Sequence, residues 1–250
     1  VRKSFGLAAA LLFFLMTPLI STGPESQKEC TFKIFGRVTN FHNQPIKGAS
    51  VFLKDSKFED VATAKSDEDG RYTITAPKGL YVALVSVKHY MMKHLEYWAW
   101  NAPLDEDLEI NPRFGRMEVY AINAWRPQGA FPSYQIYFRP MSLSMTMAKI
   151  EEAGGMANFQ KLPVIDIAPD LGRDDIEVIV DGQKVDILEV NRVREAAGPN
   201  QYMFGYLIQV TLPKKKADKP YSVITITLTD PVSGDKGEGC LFMSLPDYVR

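Results

Sequence analysis

The sequence predicts an all-β protein, two antiparallel β-sandwich domains behind an export leader, and three observations predict it. Apolar and polar residues alternate with period two in one short segment after another. Turn signals separate those segments: Asn43-Gln44-Pro45, Asp69-Gly70, Pro77-Lys78-Gly79 and Asp181-Gly182. Only Met145 to Gln160, interrupted at Gly154-Gly155, carries plausible helical turns.

The chain begins with Arg2 and Lys3 ahead of an unbroken apolar run from Phe5 to Met16, followed by Pro18, Ser21 and Gly23. A basic start, a short apolar centre and small residues describe a secretory signal peptide over 1–23. The alternative is a retained anchor, but the run is shorter than the roughly 20 residues a bilayer requires. Cys30 follows Gln27-Lys28-Glu29, which is no lipobox. The expected location is therefore periplasmic or extracellular, with no transmembrane segment after cleavage. With 46% hydrophobic residues, 24% charged and a formal net charge of -1, the rest supports real cores and offers no general attraction to nucleic acid. In an oxidising compartment Cys30 and Cys240 read either as a disulfide tying the two ends together or as two buried thiols.

From Thr31 the alternation runs Phe32, Ile34, Gly36 and Val38, then Ala49, Val51 and Leu53. Val61 to Ser66, Arg71 to Ala76, Leu80 to Val87, Met91 to Trp100 and Asp107 to Ile110 continue it. Asp69-Gly70 reads as the corner of a tight hairpin between two of these. Seven such segments separated by turn signals indicate an antiparallel β-sandwich, and the part of the chain up to Tyr90 resembles the carboxypeptidase regulatory-like family, a transthyretin-like β-sandwich. The resemblance rests on Gly36 and Val38; on Pro45, Ile46, Gly48, Ala49, Val51 and Leu53; on Asp67, Asp69, Gly70, Tyr72 and Ile74; and on Pro77, Gly79, Tyr81 and Tyr90. It covers about Phe32 to Tyr90 and implies a non-catalytic accessory of exported proteins. The Tyr-Arg-Gly-Ser ending of the family's transthyretin-like hydrolase relative is absent; this chain ends Pro246-Asp247-Tyr248-Val249-Arg250.

The second half alternates through Met117 to Ile122, Tyr134 to Arg139, Pro163 to Ala168, Ile176 to Val180, Lys184 to Val190, Gln201 to Leu212, Tyr221 to Thr229 and Gly239 to Ser244. This reads as an immunoglobulin-like sandwich. The expected domains are 24–112 and 113–250, with a boundary anywhere from 112 to 150.

The richest place for chemistry is His89 to Asn101, HYMMKHLEYWAWN. On a strand, His94, Glu96, Trp98 and Trp100 would share one face, and charged groups beside indoles suit a wet surface on which rings stack against sugars. Trp98, Trp100 and Trp125, with Tyr97 and Tyr134, are the candidate stacking residues; Glu96 and His94 are the polar ones. The expected partner is a glycan or an envelope protein. The competing reading makes the same rings cement between the two sandwiches, in a structural spacer or assembly subunit.

No catalytic residue, metal site or cofactor is expected. His89 has the opposite strand parity to His94 and Glu96. Asp67, Glu68 and Asp69 belong to a turn and lack the further oxygen ligands of a calcium loop. There is no G-x-S-x-G elbow, and Gly154-Gly155 precedes no P-loop lysine. Lys214, Lys215, Lys216 and Lys219 form a solvated inter-strand loop.

Overall fold

The structure, a computed structural model, describes residues 30–215 and 218–245, so the expected leader lies outside the described residues. The chain is mostly strand, with α-helical turns where the sequence places them and one further 3-10 turn at Arg173–Asp175. The first half contains β1 (Thr31–Arg37), β2 (Ser50–Lys54), β3 (Asp60–Lys65), β4 (Arg71–Pro77), β5 (Gly79–Val87), β6 (Tyr97–Leu104) and β7 (Leu108–Glu109). After it come β8 (Met117–Trp125), β9 (Ser133–Ser142), α1 (Leu143–Glu152), α2 (Met156–Phe159) and β10 (Val164–Ile165). The chain ends through β11 (Ile176–Val180), β12 (Gln183–Lys184), β13 (Ile187–Gly198), β14 (Gln201–Thr211), β15 (Tyr221–Thr229) and β16 (Lys236–Ser244). Ser142 caps α1 by accepting from the Met145 amide at 3.2 Å, which satisfies a helix donor that would otherwise lack a partner.

The two halves share a sheet. An eight-stranded sheet runs β12-β11-β15-β16-β6-β5-β2-β3, so strands from both halves lie in one hydrogen-bonded layer. The join is the parallel pair β6 and β16, with Trp98 opposite Gly239 and Trp100 opposite Leu241. A three-stranded sheet, β4-β1-β7, covers one face at the first-half end. A five-stranded sheet, β10-β14-β9-β8 with β13 also on β14, covers the opposite face at the second-half end. Two cores result on opposite faces. The smaller holds Ile34, Leu53, Ile74, Leu84, Ala99 and Leu104; the larger holds Val85, Val119, Ile136, Phe138, Ile208 and Ile226.

β6 serves both cores because its sheet is covered on both faces, and its alternation is interrupted once. Tyr97 and Ala99 face the smaller core, and Trp98 and Trp100 face the larger. Asn101 then adopts φ +56°, and beyond it Ala102 and Leu104 join the smaller core. A single left-handed residue shifts the alternation by one position, as a bulge does.

Backbone crowding at glycine closes both packed corners. In β1, a Cβ on Gly36 would stand 1.9 Å from the Ile110 carbonyl oxygen, where the chain past β7 returns and the Ile110 amide donates to the Phe35 carbonyl at 2.9 Å. In β16, Cβ atoms on Gly237 and Gly239 would meet the Met117 and Val119 carbonyl oxygens at 2.4 and 2.7 Å, because β8 crosses there almost in backbone contact.

Two local expectations are corrected. Asp69-Gly70 closes no hairpin: β3 and β4 lie in different sheets, and β4 pairs with β1. The turn instead hands the chain from one layer to the next, with the Asp67 carboxylate accepting from the Asp69 and Arg71 amides at 2.9 and 2.8 Å. Asp181-Gly182 does close a two-residue hairpin, between β11 and β12, with both residues at positive φ. The segment from Met91 to Trp100 becomes strand only at Tyr97. His89 and Met91 take positive φ, and the His89 carbonyl accepts from the Met92 and Lys93 amides, so the chain turns there.

The cysteines are not bridged. Cys30 is exposed and Cys240 buried, both as free thiols. Cys240 lines a groove together with Phe35, and Phe35 is five residues along β1 from Cys30, roughly 16 Å of extended chain. A disulfide requires Cα atoms within about 7 Å.

Candidate functional site

The aromatic segment settles at the rim of the larger core. Pairing places Lys54 and Phe52 of β2, Ala83 and Val85 of β5, and Trp100 and Trp98 of β6 in two rows on the same face. The residues opposite the indoles are small and fully buried, which leaves room for two large rings above the sheet. Trp98 and Trp100 stack on each other with centroids 5.0 Å apart and planes 11° from parallel. Tyr120 of β8 meets both edge-on, at 4.9 and 5.1 Å. Quadrupolar rings prefer these offset and edge contacts. The indoles are only 7% and 8% exposed.

Around the rings stands a set of charged groups. Glu118 shares the Tyr120 face of β8 and is buried. Its Oε2 accepts a long 3.4 Å bond from the Glu96 amide, which brings two carboxyl groups together from the two halves of the chain. Burial, with the Glu96 charge next, pushes Glu118 up to about 8; the Glu96 amide, the Trp98 N–H and the Arg139 charge oppose the rise. Glu96 is raised as well, by burial, against the pull of Lys54. The Trp98 Nε1–H lies beside both carboxyls and favours their charged forms, but it makes no well-formed hydrogen bond to either, and the Trp100 Nε1–H is likewise without a partner. On the far side of Tyr120, the Arg139 guanidinium carbon lies 5.4 Å from the ring centroid. It pairs with Glu195 at 2.6 Å, and Glu195 also accepts from the Tyr137 hydroxyl.

Glu96, Trp98 and Trp100 are brought together on one face. The other sequence candidates are not. His94 sits in the turn before β6, its Nδ1 2.9 Å from the Lys88 carbonyl and its ring edge-on to Phe114 at 5.3 Å; burial lowers its pKa against that bond. Tyr97 points into the smaller core and Tyr134 into the larger. Trp125 is 47% exposed at the far end of β8, beyond a register shift between Tyr120 and Asn123, roughly 15 Å along the strand from Tyr120. The expected open stacking platform is therefore corrected. The turn at 89–94 removes His94, the bulge displaces Trp125, and the two remaining indoles use their surfaces on each other and on Tyr120.

Sequence reasoning missed Glu118, Tyr120 and Arg139 as members of this cluster. Alternation in MEVY did place Glu118 and Tyr120 on one face opposite Met117 and Val119, so the signal was present for half of it. The partnership with Glu96 and Trp98 depends on β8 crossing from another sheet, which no local pattern encodes.

Residues 33–110 match the family model of the carboxypeptidase regulatory-like domain, a stretch that takes in β6 and β7 beyond the motifs that suggest it. No curated protein matches the chain. Among solved structures, a DUF3823 family protein from Bacteroides ovatus is 8% identical, covering 85% of this chain and 99% of that one, at a TM-score of 0.28. A DUF3823 family protein from Parabacteroides merdae is 10% identical, covering 86% and 98%, also at 0.28. BcpA, the major pilin subunit of Bacillus cereus, is 9% identical, covering 86% and 69%, at 0.29.

Proposed function

We propose that the chain is a non-catalytic accessory of an exported assembly, a stiff β spacer whose aromatic cluster is cement and not a ligand platform. The observation that carries this reading is the packing of Trp98, Trp100 and Tyr120 on one another at the point where β6 and β8 meet. A ring whose faces and edges are engaged has no flank left for a sugar. The shared eight-stranded sheet supports the same reading, since the halves could rotate against each other only by breaking the β6–β16 ladder. The Cys240 thiol, pushed up to about 12 by burial, is a poor nucleophile. Export rests on the leader pattern in the sequence. Among the described residues no helix is long and apolar enough to cross a membrane.

Two measurements test the proposal. Fluorescence quenching by acrylamide should divide the tryptophans into one accessible residue, assigned to Trp125 by its loss in Trp125→Phe, and two protected ones. Heat or denaturant should unfold the chain in one transition, and Trp98→Ala should lower its stability by about 3–5 kcal/mol without splitting it. Three equally quenched indoles, or two transitions in the unaltered chain, would count against the spacer.

A second reading keeps a glycan ligand and moves it to the β8–β9 hairpin, where Trp125 and Phe131 are 47% and 64% exposed. Binding to envelope glycans that survives Trp98→Phe and disappears in Trp125→Ala would favour this reading.

A further inference from the structure

The three-stranded sheet covers only part of its face of the central sheet, and a groove of about 580 Å3 opens where it stops, between β7 and the strands β15 and β16. Phe35, Leu108, Ile110, Tyr221, Val223 and Phe242 form its apolar lining, of which Phe35 is the most exposed. Tyr221 and Phe242 meet edge to face at 5.6 Å, and Phe35 is 38% exposed. Its charge is one-sided. Asp107, Glu109 and Glu238 line it against one lysine, Lys219, which Glu106 already neutralises at 2.6 Å. Glu238 is held by Arg113, Asp107 accepts from the Lys33 amide at 2.8 Å, and Glu109 accepts from the Asn111 side chain at 3.0 Å. Beneath them the phenol of Tyr97, 97% buried, has the Cys240 thiol as its polar neighbour.

We propose that this groove binds a small organic cation, an amine carried on an aromatic or alkyl body. Rings attract a cation placed over their faces, and the chain supplies an internal example: the Lys219 Nζ stands 5.6 Å from the Tyr221 ring centroid. Carboxylates at the rim complement an ammonium head, while the apolar wall takes its body. The volume falls within the range of small-molecule sites, about 300–1,000 Å3, and so accommodates a whole ligand. The proposal goes beyond the spacer reading and does not depend on it.

The test follows backbone amide NMR shifts of the full chain during titration with tyramine and with hexylamine, beside 4-ethylphenol and 4-hydroxyphenylacetate as neutral and anionic bodies of similar shape. At least one amine should saturate shifts at Phe35, Glu109 and Thr225, with the neutral analogue weaker and the anion silent. Glu109 is exposed, so Glu109→Gln should fold and should weaken the amine roughly five- to tenfold, whereas Lys219→Ala, which removes a competing ammonium, should tighten it. Saturation of the groove amides by neither amine, or equal binding of all charge types, overturns the proposal. So does affinity indifferent to both substitutions.

Discussion

A Gly36→Ala chain is expected to lose about 3 kcal/mol or more of stability, or to fail to fold, although alanine is usually the mildest replacement in a protein. The new Cβ would stand 1.9 Å from the Ile110 carbonyl oxygen and 2.7 Å from its carbon, and what blocks it is backbone, which cannot rotate away. Relief requires β1 to part from the chain returning past β7. That movement breaks the Ile110 amide bond to the Phe35 carbonyl and opens the smaller core beside Ile34 and Ile110. Overpacking by a single methyl commonly costs about 1–3 kcal/mol where side chains can yield, and here only main chain can move. Gly79→Ala is the matched control, since its Cβ would meet nothing nearer than the Tyr81 ring at 3.7 Å; it should be near neutral or slightly stabilising. Urea unfolding of both variants measures the difference, and equal midpoints would show that the corner is looser than its geometry.

That glycine also shows what kind of information the sequence carries. Gly36 belongs to the pattern by which the first half resembles the carboxypeptidase regulatory-like family, and its physical meaning is a close approach of main chain from a segment about 75 residues later. Period-two alternation located nearly every strand, because burying one face of a sheet leaves that mark directly on the chain. It failed where the pleat was interrupted. The left-handed residues at His89, Met91, Asn101 and Ala121 are not glycines, so nothing in composition announced them, and each re-aims the residues after it. This is why His94 and Trp125 dropped out of the proposed face while Glu96, Trp98 and Trp100 stayed on it. The parallel β6–β16 ladder was invisible for a different reason. Both strands alternate correctly whichever neighbour they take, and the choice of neighbour is fixed only by what covers the two faces. β13 extends past its sequence-predicted end for the converse reason: beyond Val190 only Val193 and Glu195 are half-buried and the rest is exposed, so pairing with β14 and polar contacts such as Glu195 to Arg139 hold it and no apolar period marks it.

The pH dependence of stability should expose the Glu96–Glu118 contact. Glu118 is raised from 4.5 to about 8 in the folded chain, so between those values the folded state holds a proton that the unfolded state has released. Stability therefore falls as pH rises across that window: the contribution is complete below about pH 4.5 and is lost as pH passes through about 8. A shift of this direction and size corresponds to roughly 3–5 kcal/mol between the limits. Ionising Glu118 puts a charge into the seam beside the Glu96 carboxylate, with no well-formed bond from the Trp98 N–H and Arg139 engaged by Glu195. Because Glu118 comes from β8 and Glu96 from the lead into β6, the repulsion acts across the junction of the two halves. Glu118→Gln keeps the shape and cannot ionise. It should flatten the curve, be nearly neutral at about pH 5 and exceed the unaltered chain in stability at about pH 9. Glu96→Gln should flatten it less, by removing only the neighbouring charge. Denaturant midpoints measured across that range decide the matter, and a curve for Glu118→Gln parallel to that of the unaltered chain would mean that the seam is wet enough to hold both carboxylates charged.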